Sequence, residues 1–119
     1  MSDFKKLKVW QQAMDLALSI YRITDKFPTK EIYSLTSQMR RAAVSVPSNI
    51  AEGNQRNGKK EKLQFMAIAL GSCSELETQS ILAQELGYLK SEEFDQAIDK
   101  IHQTAKMLTG LVKFLKSSN

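Results

Sequence analysis

The stretch from Gln38 to Arg56, QMRRAAVSVPSNIAEGNQR, sits in a helix that carries two different stripes. Leu35, Met39, Ala42, Val46 and Ile50 recur at steps of three and four, the period of one helical face, and belong in a core. Gln38, Arg41, Ser45, Asn49, Glu52 and Arg56 recur at the same kind of step and line a second continuous face. Lys and Glu are better helix formers for an ordinary solvated face. Ser and Asn compete with the backbone for hydrogen bonds and weaken an interior turn. Something other than helix propensity therefore selects the second stripe, and the helix needs neighbours on more than one side.

The rest of the chain supplies those neighbours as helices, and no segment reads as a strand. A first helix runs from about Leu7 to Asp25, with Trp10, Ala13, Ala17, Ile20, Thr24 and Phe27 at heptad spacing. Phe27-Pro28 ends it, and Thr29 is placed to cap a second helix from about Lys30 to Gly53. Pro47 lies inside that helix, removes a hydrogen bond to the Ala43 carbonyl and predicts a kink, with Ser45, Ser48 or Asn49 answering the freed groups. A third helix from about Lys59 to Leu86 has the stripe Phe65, Ala69, Ser72, Leu76, Gln79, Ala83 and Leu86, and Gly87 supplies a left-handed stop. A fourth opens with Ser91 as its cap and Glu92, Glu93 and Asp95 in its first turn, and ends among Lys106, Lys113 and Lys116. Phe94, Ile98, Ile101, Ala105, Leu108, Val112 and Leu115 give it a strict four-three core face. Long helices joined by short loops predict an all-α, antiparallel up-and-down four-helix bundle, one domain over residues 1–119 and about 30–40 Å long.

A chain of 119 residues with 42% hydrophobic and 25% charged residues can bury one core of moderate size. The start MSDFKKLKVW has no apolar run behind its lysines, which predicts no secretory leader. The uncharged stretch from Leu63 to Ser74 is too short to span a bilayer, so a cytoplasmic location without membrane attachment is expected. The lone Cys73 excludes an internal disulfide and reads as a small packing residue. Charge is uneven along the chain: residues 1–62 hold twelve Lys or Arg against six Asp or Glu, and residues 63–119 hold five against seven. The Arg40 to Lys62 segment has six basic residues against Glu52 and Glu61, a footprint for a polyanion; the alternative is a solvated basic surface.

Catalytic patterns fail on chemistry. Gly53 to Lys60, GNQRNGKK, approaches the phosphate loop G-x-x-x-x-G-K-[ST], but Lys60 replaces the magnesium-binding hydroxyl and the segment follows a helix instead of a strand. Asp99 and His102 have the i, i+3 geometry of a metal-ligand pair, yet a di-iron centre needs two histidine-bearing repeats and the chain has one His, which reads as a surface residue. No nucleophile and base stand at supporting spacing, so the chain reads as neither an enzyme nor a holder of metal, cofactor or small-molecule substrate.

Val9-Trp10-Gln11-x-Ala13, Phe27-Pro28-x-x-Glu31, Gln38-x-Arg40-Arg41-Ala42-Ala43-x-Ser45-Val46-Pro47-x-Asn49-Ile50-Ala51-Glu52-Gly53, Ala69-x-Gly71-Ser72, Glu75-Leu76-Glu77-Thr78-Gln79 and Leu86-Gly87-Tyr88 follow one another in fixed order. In this the chain resembles the bacterial four-helix bundle family encoded in intervening sequences of 23S ribosomal RNA genes. That family is sometimes labelled a ribosomal protein family and is related to the accessory protein of diversity-generating retroelements. The resemblance implies a homopentamer with a central channel and a role in binding RNA or a nucleic-acid-handling protein. On this reading Arg40, Arg41, Arg56, Lys59, Lys60 and Lys62 contact RNA backbone as repeated basic patches. Ser45, Asn49, Glu52, Ser72, Glu75 and Gln79 form a polar network or subunit interface that Arg40 or Arg41 neutralises. No aromatic lies between Arg40 and Lys62, which disfavours base stacking there. The alternative is a scaffold that docks another protein, such as a reverse transcriptase.

Overall fold

The computed structural model describes residues 3–118, so Met1 and Ser2 of the segment searched for a leader lie outside it. Four helices, α1 (Lys8–Thr24), α2 (Leu35–Gln55), α3 (Lys59–Glu85) and α4 (Ser91–Ser117), are preceded by a 3-10 turn at Phe4–Lys6, and a second 3-10 turn at Thr29–Glu31 stands before α2. No strand occurs among the described residues. Each helix packs on two neighbours, in the cyclic order α1, α2, α3, α4, and diagonal pairs stay apart, giving an up-and-down bundle measuring 48 × 23 × 21 Å. No helix is long and apolar enough to cross a membrane among the described residues.

The core is where the periodicity places it for α1 and α2. Ala13, Ala17, Ile20, Thr24 and Phe27 are buried, together with Val9 and Leu16, which the heptad reading missed; Trp10 is only partly covered. All five α2 positions, Leu35, Met39, Ala42, Val46 and Ile50, are buried. Truncating a fully enclosed aliphatic such as Leu16 removes about 2–5 kcal/mol. In α4 the buried line is Ala97, Ile101, Thr104 and Leu108, while Phe94, Ile98, Ala105, Val112 and Leu115 pack as a partly covered flank. The stripe predicted for α3 holds at Ala69, Ser72, Leu76 and Ala83 and is displaced by one position at two others: Met66 is buried in place of Phe65, and Ser80 in place of Gln79, while Leu86 is half exposed. Cys73 is buried in that stripe, and burial pushes its thiol up to about 11, in keeping with a packing role.

Helix ends account for the remaining differences. α2 starts at Leu35 and not Lys30, because the Glu31 carboxylate accepts the Leu35 N–H at 3.3 Å and the Tyr88 hydroxyl at 2.8 Å. Thr29 instead opens the short 3-10 turn. α2 also runs two residues past Gly53. That glycine is not a stop: a Cβ there would lie 2.6 Å from Met66 Cε and 2.9 Å from Phe65 Cβ, so its role is close approach to α3. α2 stays helical on both sides of Pro47, and the predicted kink gains no support; Asn49 does donate its amide into that turn, to the carbonyl of Ser45 at 2.8 Å. α3 ends on Gly87 at φ +82°, with Tyr88 N–H on the Ala83 carbonyl and Gly87 N–H on the Gln84 carbonyl. Ser91 is the first residue of α4 and not its cap; the Glu93 carboxylate reaches back to the Lys90 N–H at 3.1 Å.

Candidate functional site

The six basic candidates separate into two places. Arg40 lies off the polar stripe of α2 and closes the end of α1: its Nε donates to Thr24 Oγ1 at 2.9 Å, and its Nη2 donates to the Tyr21 carbonyl at 3.3 Å and to Asp25 Oδ1 at 2.8 Å. Its guanidinium also stacks on the Tyr21 ring at 4.8 Å. A cation on the last carbonyls of a helix complements the macrodipole, which gives Arg40 a structural task. Arg41 points out of the core beside it and makes no ion pair among the described residues. Arg56 lies fifteen residues further on, about 22 Å along the helix, so the arginine pair and the α2–α3 turn are separate surfaces.

At that turn the lysines are partly engaged. Arg56 pairs with Glu52 Oε2 at 3.0 Å and lies over the Phe65 ring at 5.0 Å. Lys62 Nζ donates to the Asn54 carbonyl at 3.1 Å, and Lys59 Nζ donates to the Lys116 and Ser118 carbonyls at the end of α4. Lys60 is exposed and makes no such bond among the described residues. The exposed Arg56–Glu52 pair is worth less than about 1 kcal/mol and can exchange its partner.

Antiparallel packing then adds cations that the sequence keeps far apart. The Phe4–Lys6 turn packs on α2, and Phe4 lines a hollow with Gln55 and Arg56. Lys59 ties the start of α3 to the end of α4. One end of the bundle therefore gathers Lys5, Lys6, Lys8, Arg56, Lys59, Lys60, Lys62, Lys113 and Lys116 against Asp3, Glu52 and Glu61. The opposite end, residues 21–41 and 82–95, holds six Lys or Arg against six Asp or Glu. Charge is polarised along the long axis. The leading lysines and those closing α4 were visible as charges, but only the helix order brings them to one place.

The proposed polar network contracts to a core of three. Ser72 Oγ lies 2.8 Å from Ser45 Oγ, and Asn49 Nδ2 donates to Ser45 Oγ at 2.9 Å, bridging α2 and α3. Glu75, Gln79, Gln38 and Arg41 surround an adjoining groove of about 330 Å³ instead of bonding into that core, and Gln79 Oε1 is buried there without a hydrogen-bond partner. Glu52 is drawn away to Arg56. Arg41, and not Arg40, is thus the arginine beside Ser45 and Glu75.

Sequence reading missed an apolar groove of about 480 Å³ between α1 and α2, lined by Trp10, Met14, Leu18, Tyr21, Val44 and Pro47 and closed by Phe4, which meets Trp10 edge-on at 5.4 Å. Its signal was the i, i+4 run Trp10, Met14, Leu18 beside the heptad stripe of α1. His102 is exposed on α4 and meets Glu77 Oε1 at 3.0 Å, and Asp99 bonds Gln103, so the two do not converge.

A family model described as 23S rRNA-intervening sequence protein matches residues 5–110. Among solved structures the chain is similar to a crystal structure of a protein of unknown function from the S23 ribosomal protein family of Bacteroides thetaiotaomicron VPI-5482. The two share 20% identity over 88% of this chain and 98% of that one, with a TM-score of 0.80, a likeness of fold. Among curated proteins none matches the chain.

Proposed function

The chain belongs to the 23S rRNA-intervening sequence protein family, and from that premise we propose that it is a non-enzymatic bundle that holds RNA backbone at its basic end. One observation carries the reading: three stretches remote in sequence deliver nine Lys or Arg against three acids to a single end of a 48 Å bundle. Such a surface attracts phosphates through counterion release, without reading sequence. Lys60 and the exchangeable Arg56 are the most available of the candidate cations at that end, whereas Arg40 is committed to α1.

A homo-oligomer, pentameric as the family resemblance implies, would repeat this end and multiply a modest affinity. The exposed apolar groove of Trp10, Met14, Leu18 and Val44 is the surface such assembly would cover. The same groove favours the second reading, docking of another protein.

The test is the salt dependence of binding to labelled 23S ribosomal RNA fragments by wild type and Lys60→Glu/Lys113→Glu, with oligomer mass followed by light scattering. Affinity that falls steeply with salt and drops further in the reversed variant supports the basic end. Salt-indifferent binding unchanged by the variant overturns it and leaves the apolar groove as the docking surface. Lys59 is unsuitable for reversal because it caps α4.

A further inference from the structure

Resting on that reading of the basic end, we propose that Phe114 is a stacking platform for an unpaired base, so that the RNA taken there is single-stranded. Phe114 lies in the last turn of α4 and is 66% exposed, and it is not among the hydrophobic residues packed on the core. The other aromatic rings at this end are engaged: Phe4 meets Trp10, and Phe65 lies under Arg56. Phe114 has no ring or cation partner among the described residues.

Its surroundings supply what a nucleotide needs besides a ring. Lys113 and Lys116 share its turn, and Lys59 is tied to carbonyls at Lys116 and Ser118. A strand whose phosphates are held by these cations has bases within reach of an exposed ring face, the combination that binds single strands without sequence preference. A blunt duplex keeps its bases stacked on one another and gains nothing from the ring. Tyr33 makes the contrast: it is 97% exposed, but the charged residues nearest it in the chain are Lys30 and Glu31, at the end where acids balance bases. Exposure alone does not select Phe114; exposure among surplus cations does. The sequence hides the arrangement, since no aromatic lies between Arg40 and Lys62 and Phe114 enters from another helix.

Fluorescence anisotropy of wild type, Phe114→Ala and Phe114→Trp would be measured with a short single-stranded RNA carrying 2-aminopurine and with a blunt RNA duplex of equal length. Light scattering on all three proteins accompanies it. The expected result is single-strand affinity about tenfold weaker in Phe114→Ala, duplex affinity changed less than about twofold, and both the affinity and the 2-aminopurine quenching retained in Phe114→Trp. Equal weakening on both RNAs, or no change on either while wild type binds, overturns the stacking role and leaves the backbone reading standing. A lower oligomer mass in Phe114→Ala overturns it by making the ring a contact between copies. Failure of wild type to bind either RNA overturns the backbone reading itself, and the stacking role with it.

Discussion

Where α1 turns into α2 and α3 into α4, carboxylates do the joining. Glu31 accepts the Leu35 N–H and the Tyr88 hydroxyl, so it starts α2 and ties that start to the residue after α3's glycine stop. Glu93 accepts the Lys90 N–H and pairs with Lys26 at 3.2 Å. Asp25 holds Arg40 against the end of α1. At the opposite end the ties are lysines on carbonyls, Lys59 on α4 and Lys62 on Asn54, and the charge left over faces outward. Both ends are closed by charged side chains, yet only the second carries a surplus. The difference teaches that a bundle's surface charge is read after subtracting the groups already used on its own helix termini, and that subtraction sets Arg40, Lys59 and Lys62 apart from Lys60, which makes no such bond among the described residues.

The contrast can be pressed in order of effect. Gly53→Val forces a side chain into the 2.6–2.9 Å gap against Met66 and Phe65 at the basic end and should cost about 2–3 kcal/mol in denaturant unfolding; an unchanged midpoint would mean that α2 and α3 do not meet so closely. Lys60→Glu/Lys113→Glu should weaken RNA binding about tenfold and leave the melting temperature within a degree or so, whereas Lys30→Glu at the other end should leave affinity unchanged. Equal losses from reversal at either end would erase the polarity. Gly87→Ala, at φ +82°, should cost about 1 kcal/mol of thermal stability without touching RNA affinity. Lys59→Ala should cost about 0.5 kcal/mol by uncapping α4.

Acid sharpens the comparison in the other direction. The Tyr88 hydroxyl, then the Leu35 N–H, hold Glu31 below the usual carboxylate range, and the Lys90 N–H and Lys26 do the same for Glu93. A carboxyl lowered by folding contributes fully above its unfolded value and loses that contribution as pH falls through the folded one. Thermal stability should therefore drop on acidification below about pH 4, and Glu31→Gln should flatten part of that drop. A pH profile identical in the variant would remove Glu31 from the account.

Much of this molecule was legible from local pattern. α1 and α2 announce their buried faces because their apolar residues are segregated, and α4 announces the side that packs inward, although its most buried line, Ala97, Ile101, Thr104 and Leu108, is offset from its apolar stripe. α3 does not: Ile68, Ile81, Leu82 and Leu86 are exposed around it, and the buried line of Met66, Cys73 and Ser80 is no more apolar than its other sides. The start of α2 was misjudged for a different reason. Its determinant, Glu31 on Tyr88, joins residues 57 apart, and Thr29 offers a better local cap. The candidate cations were readable as types but not as a place, because splitting the chain into a basic and an acidic half mistakes order along the chain for order along the axis. Which arginine closes α1 was unreadable for a similar reason, since nothing in QMRRAA tells which of the pair faces that helix.

An even number of antiparallel helices returns the chain to the end it started from, so Phe4 and Ser118 open beside the α2–α3 turn. Two copies of this bundle joined tail to head by a short flexible linker would set their lysine-rich ends side by side and facing the same way. A bundle with an odd number of helices would have to send the linker down its full length to do so.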